Sequence, residues 1–129
     1  MPVSYEFDEN ILVLRMVGDY VPADIRAALS AALQDDARPA LTGLLFDVSA
    51  STSLGARSSR DVRSMAALLS HLAPQFGGRL ALLGTTDLQY GQMRLGSVDV
   101  EAAGVDVWPF RDRSEALRWL RRGPPGGAQ

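Results

Sequence analysis

The residues that could do chemistry gather in two stretches. The first is Gly43–Asp61, GLLFDVSASTSLGARSSRD, where an apolar run ends at Asp47 and a serine-rich loop leads into a helix start. Asp47, Ser49, Ser51, Thr52, Ser53, Arg57, Ser58, Ser59 and Arg60 supply a carboxylate, hydroxyls and guanidiniums. Free N–H groups at a helix start, joined by hydroxyls and arginine, could hold an anion or a phosphate. A phosphate on Ser58 or Ser59 would place charge at the positive end of the helix dipole. The plainer reading is a solvated, serine-capped loop with an Arg57–Asp61 surface pair worth roughly 0.3–0.5 kcal/mol. It is preferred because no glycine-rich cradle accompanies the corner. The second stretch, after Gly84-Thr85-Thr86, holds Asp87, Tyr90, Gln92, Met93 and Arg94. These could line a cleft at the same end of a sheet. Their plainer reading is a helix capped by Asp87, with Tyr90 and Met93 packed as i, i+3 neighbours.

Other chemistries find little support. With no cysteine, disulfides, thiol catalysis and thiolate metal sites are excluded. All 13 basic residues are arginine, which excludes lysine Schiff bases and a P-loop lysine. His71 has no carboxylate at helical spacing, and no G-x-S-x-G elbow exists for a nucleophile. It reads as a packing or dipole residue near a helix end. Asp35 and Asp36 are adjacent, so they do not face each other on a helix and read as a solvated end. No enzyme, metal or cofactor is therefore expected. A net charge of −2 gives no electrostatic case for nucleic acid. No apolar run approaches the roughly 20 residues that cross a bilayer, so stable membrane insertion is not expected. The start, MPVSYEFDEN, lacks the basic and apolar regions of a signal peptide, which points to the cytoplasm.

The elements that must position these residues follow from periodicity. Tyr5 and Phe7 alternate with charges in a first strand, and Glu9-Asn10 turns the chain into a more buried second strand, Ile11–Val17. A helix enters at Pro22 and runs to about Asp36 on the stripe Ile25, Leu29, Leu33. Thr42–Val48 is the third strand. The next helix starts near Ser58 or Ser59, buries Val62, Met65, Ala66, Leu69 and Leu72, and closes at Pro74 and Gly77-Gly78. Arg79–Leu83 is a short apolar, central strand. The following helix starts at Leu88, is weakened by Gly91 and Gly96, and ends at Gly104. Val105–Phe110 is an edge strand because of Pro109. Asp112 to Glu115 reads as an aspartate capping box for a last helix. Trp108 and Trp119 read as core or interface anchors, a homodimer contact through Trp108 being the alternative. Residues 1–122 form one domain, and Gly123–Gln129 reads as a disordered tail. The order β-β-α-β-α-β-α-β-α predicts an α/β fold with a mixed, mostly parallel sheet and right-handed crossovers.

With that order, the chain resembles the STAS superfamily, and more closely its bacterial SpoIIAA-like group. GLLFDVSAS is similar to the family's central strand ending in aspartate, RLALLGTTDLQYGQMRL to its next strand, turn and helix, and VDVWPFRDRSEALRWL to its last strand and closing helix. The resemblance implies a four- or five-stranded sheet with about four helices mainly on one face. In the regulators of that superfamily, a partner kinase phosphorylates a serine in an aspartate-serine-serine-glycine motif. Aligned from Asp47, that motif's aspartate and first serine fall near Gly55 and Ala56, so the switch does not carry over.

Two functions from different classes follow. The first is a non-catalytic regulatory module that acts on a protein partner through the serine-rich loop or a helix face. The second is a carrier that binds a lipid or other small apolar ligand beneath the helix at Leu88–Ala103, whose glycines favour opening.

Overall fold

The alternation of strands and helices is realised in full. A computed structural model describes residues 2–52 and 59–122; Ser53, Arg57, Ser58, the Ser59 side chain and the tail from Gly123 lie outside the described residues. The elements are β1 (Val3–Asp8), β2 (Ile11–Gly18), α1 (Pro22–Leu33), β3 (Gly43–Ser51), α2 (Ser59–Phe76), β4 (Arg79–Leu83), α3 (Asp87–Ala102), β5 (Asp106–Phe110) and α4 (Arg113–Arg121). The five strands lie in sequence order, β1-β2-β3-β4-β5. β1 is antiparallel to β2, and β2 through β5 are parallel.

That order explains where the helices lie. Parallel crossovers share one hand, so a chain that always steps to the next strand puts every crossover helix on the same face. Accordingly Leu29 of α1, Leu69 and Phe76 of α2, and Met93 and Val100 of α3 pack with Leu14, Phe46 and Leu82 in one core. α4 follows the last strand and takes the opposite face. Its Ala116, Leu117 and Leu120 bury against Ile11, Val13, Leu45, Ala81 and Leu83. Each buried leucine there is worth about 1.5–3 kcal/mol. Among the described residues, no helix is long and apolar enough to cross a membrane.

Several local expectations are corrected. α1 stops at Leu33, three residues short of Asp36. Asp35 is not a bare solvated charge: it accepts the Tyr5 hydroxyl at 2.8 Å and the Ala37 N–H at 2.8 Å. α2 continues through Pro74 to Phe76. In the last turn proline forfeits little more than its own bond, and the fully buried Phe76 anchors that turn to the core. α3 is unbroken despite its glycines. Trp108 is no core anchor, being 58% exposed on the edge strand β5. The Gly84 N–H donates to the Phe110 carbonyl at 3.1 Å, so Phe110 faces β4 and the alternate residue Pro109 faces the open edge. There its missing donor costs no ladder bond and blunts pairing with another strand. Asp112 caps α4 by accepting from the Ser114 N–H at 3.0 Å and hydroxyl at 2.9 Å.

The Tyr5–Asp35 pair gives stability a pH dependence. The Ala37 N–H, and then the Tyr5 hydroxyl, hold the Asp35 carboxyl below its ordinary value. Donation to Asp35 pushes the Tyr5 phenol up. The Asp35 contribution is present above its unfolded value and fades as pH falls through the lowered folded value. The Tyr5 contribution is present below its unfolded value and fades as pH rises through the raised folded value. Tyr5→Phe is expected to abolish the alkaline limb and weaken the acid one in thermal midpoints followed from pH 2 to 11. Superimposable profiles would contradict this.

Candidate functional site

β3 delivers its side chains alternately to the two faces. Leu44, Phe46 and Val48 point to α1–α3, while Leu45 points to α4, and by the same alternation so does Asp47. Asp47 is only 4% exposed, and its acceptors are engaged. The Ser49 N–H at 2.9 Å and hydroxyl at 2.6 Å donate to Oδ1, and Arg113 Nη1 donates to Oδ2 at 3.3 Å. An aspartate bonded to the residue two ahead is a turn-forming device. Here it lies inside β3, where the pairing with β2 shifts register between Arg15↔Asp47 and Val17↔Ala50. Arg113, on the first turn of α4, was not singled out from sequence, because only α4 crossing the back of the sheet brings it to Asp47.

Of the predicted loop residues that are described, Asp47 and Ser49 are bonded to each other, and the others have different surroundings. Ser51 is buried at the end of β3 and has a partner of its own. Thr52 is tied to β2, its N–H donating to the Gly18 carbonyl at 2.9 Å and its hydroxyl to Asp19 at 2.9 Å. Arg60 is exposed at the start of α2. No group of three or more metal-ligating side chains occurs among the described residues, and His71 is exposed on α2.

The second cluster is organised by residues that the sequence reading passed over. Asp87 is not the cap of α3. Thr86 is, its hydroxyl accepting the Gln89 N–H at 3.1 Å. Asp87 instead accepts from Arg111 at 2.6 Å on the surface, and the Arg111 guanidinium lies 5.1 Å from the centre of the Tyr90 ring. Such an exposed pair is worth about 0–1 kcal/mol. Arg94 is exposed one turn further along. Thr86-x-x-Gln89 is a capping box, a signal available in the sequence.

Gln89 does more than close that box. Its Oε1 accepts the Thr85 N–H at 3.0 Å and the Thr86 N–H at 3.2 Å, while its Nε2 donates to the Ser49 carbonyl at 3.1 Å. It is buried, and it ties the end of β3 to the start of α3. Gly84 makes the approach feasible, since a Cβ there would lie 2.7 Å from the Gln89 Cβ.

Beneath α3 lies an apolar hollow of about 100 Å³. Phe46 and Leu82 form its floor on the sheet, and Ile25, Met65 and Met93 its walls from three helices. Asp61 and Gln92 are its charged and amide groups. Gly96 also lines it, and a Cβ on Gly96 would meet nothing within 4 Å. The glycines that suggested a broken helix thus leave α3 intact, and Gly96 removes volume from its inner face. A second hollow, of about 260 Å³, lies between α1 and α2 with Arg26, Ser30, Gln34 and Gln75 around it. It involves no strand and has a polar rim. The first hollow is therefore the stronger ligand site, since apolar lining with a few convergent polar groups is the common form of such sites.

No protein-family model matches the chain, and no curated protein matches it, so the case for this site rests on its geometry.

Proposed function

We propose that this chain is a non-catalytic, STAS-like binding domain that holds a small apolar ligand in the hollow beneath α3. The resemblance implies a sheet with helices mainly on one face, and three of the four helices share a face here. The observation that carries the reading is the hollow itself, apolar on its floor and walls and bounded by three helices. Its volume of about 100 Å³ sets the scale of what enters without rearrangement. A cavity of roughly 150 Å³ takes benzene, so the resting site takes the end of an apolar chain. A larger ligand requires α3 to move.

Gly96→Leu tests this directly. Filling the hollow from α3 and replacing a mid-helix glycine are expected to stabilise the fold by about 1 kcal/mol or more in urea unfolding. The same change is expected to abolish ligand binding. Native mass spectrometry of wild-type protein is expected to show a bound apolar species that Gly96→Leu lacks. A bare wild-type mass together with no uptake of xenon or benzene would overturn the proposal.

A second reading is a module that docks a protein partner through α3. It is favoured by Leu88, Leu95 and Val98, which are 63%, 69% and 67% exposed on the outer side of that helix. Leu95→Glu is expected to leave the thermal midpoint within a few degrees of wild type and to abolish co-purification of the partner from the native host. Retention of the same partner would exclude that face.

A further inference from the structure

We infer that the outer face of α3 pairs with the same face of a second copy of this chain, the two helices running antiparallel. The inference rests on the second reading above and names its partner; it does not depend on the hollow. α3 is apolar on two sides. Met93 and Val100 are buried on the inner side, where Gln89 is also buried. Leu88, Gly91, Leu95, Val98 and Ala102 recur at intervals of three and four residues on the other side. That is the spacing of a seam between helices packed along their length. Leu88, Leu95, Val98 and Ala102 are exposed. A Cβ on Gly91 would meet nothing within 4 Å, so the seam is open there as well.

The charges beside the seam favour a copy of the same chain. Antiparallel packing that sets Leu95 against Val98 of the second copy also sets Gly91 against its Ala102. In that register Arg94 lies beside Glu101 of the second copy, and the two-fold axis repeats the pair. Asp99 then lies beside Gln92, an amide that can donate to it. Arg94, Asp99 and Glu101 form no ion pair with another described residue of their own chain. A face that carries both the cation and the anion its mate needs is self-complementary, as a two-fold contact requires. A parallel pair would leave Glu101 without a cation and set like ends of the helix dipoles together. α3 has 16 residues, about 24 Å at 1.5 Å per residue. One such helix pair is at the small end of specific interfaces, so the association is reversible and depends on concentration.

Sedimentation velocity of the purified full-length protein, over roughly a hundredfold range of concentration, reads this association. Wild type is expected to pass from monomer to dimer as concentration rises, and Leu95→Glu to remain a monomer. Arg94→Glu is expected to weaken the dimer about tenfold or more, because it creates two like-charge contacts. Adding Glu101→Arg to Arg94→Glu is expected to restore the dimer to within about threefold of wild type. Thermal midpoints within a few degrees of wild type show that the variants are folded. A double variant no tighter than Arg94→Glu would overturn the antiparallel register. A dimer that survives Leu95→Glu would overturn the inference, and its loss in Trp108→Ala would move the contact to the edge of β5. Wild type that stays monomeric throughout would also overturn it, and would leave α3 open to the different protein that co-purification seeks.

Discussion

Gly77→Ala is expected to cost about 4 kcal/mol or more, or to prevent folding outright. Gly77 turns the chain from α2 into β4 with φ of +102°, a conformation that side-chain-bearing residues rarely adopt. A Cβ there would also lie 2.5 Å from the Thr42 carbonyl carbon and 2.6 Å from the Leu41 carbonyl oxygen. Those atoms are backbone at the entry to β3, and the Thr42 N–H is already bonded to the Asn10 carbonyl at 2.7 Å. They cannot rotate aside as a side chain would. The neighbouring Gly78 provides the control, because its φ is +85° but a Cβ on it would meet nothing within 4 Å. Gly78→Ala should therefore cost only the conformational strain, roughly 1–3 kcal/mol. Urea unfolding of the two variants separates strain from overlap. Equal losses would show that the overlap is relieved at no cost.

Gln89→Leu should lose about 2–4 kcal/mol, because a leucine of similar size can neither accept from Thr85 and Thr86 nor donate to Ser49. The effect should be local as well as global. Amide exchange at Thr85, Thr86 and the first turn of α3 should accelerate more than exchange in β2 or β3. Gln89→Glu sharpens the test. It keeps the acceptor towards Thr85 and Thr86 but loses the donor, and it sets a carboxylate against the Ser49 and Ser51 carbonyls. Its ionised form is disfavoured beside those carbonyls, so its folded value is raised, and stability should recover as pH falls through that raised value and be fully regained by about 4, the ordinary range of a glutamate. Wild-type stability for Gln89→Leu at neutral pH would mean that water replaces the amide, and that α3 is held by its apolar contacts alone.

Because α3 roofs the hollow, Gln89 also helps to hold that roof in place. It anchors the start of α3, while Gly96 lies further along the helix, against the hollow.

By itself the chain determined the order of its elements, the hairpin and the edge position of β5, whereas β4, expected at the centre, lies next to that edge and β3 holds the centre. The first three follow from local alternation, from proline and glycine at element ends, and from apolar stripes, all of which are written into neighbouring residues. The chain also holds no cysteine for thiol chemistry and no lysine for a Schiff base. Only the tertiary structure decided what Asp47, Gln89 and Gly96 do. Asp47 is held by Arg113, 66 positions away, because α4 crosses the back of the sheet. Gln89 reaches Ser49, 40 positions away, because parallel order sets the loop after β4 beside the end of β3. Gly96 lines a hollow because three helices converge over Phe46 and Leu82. A local sequence pattern specifies an element and its buried face. It does not specify which distant polar group meets that face, or where three helices fail to fill the space between them.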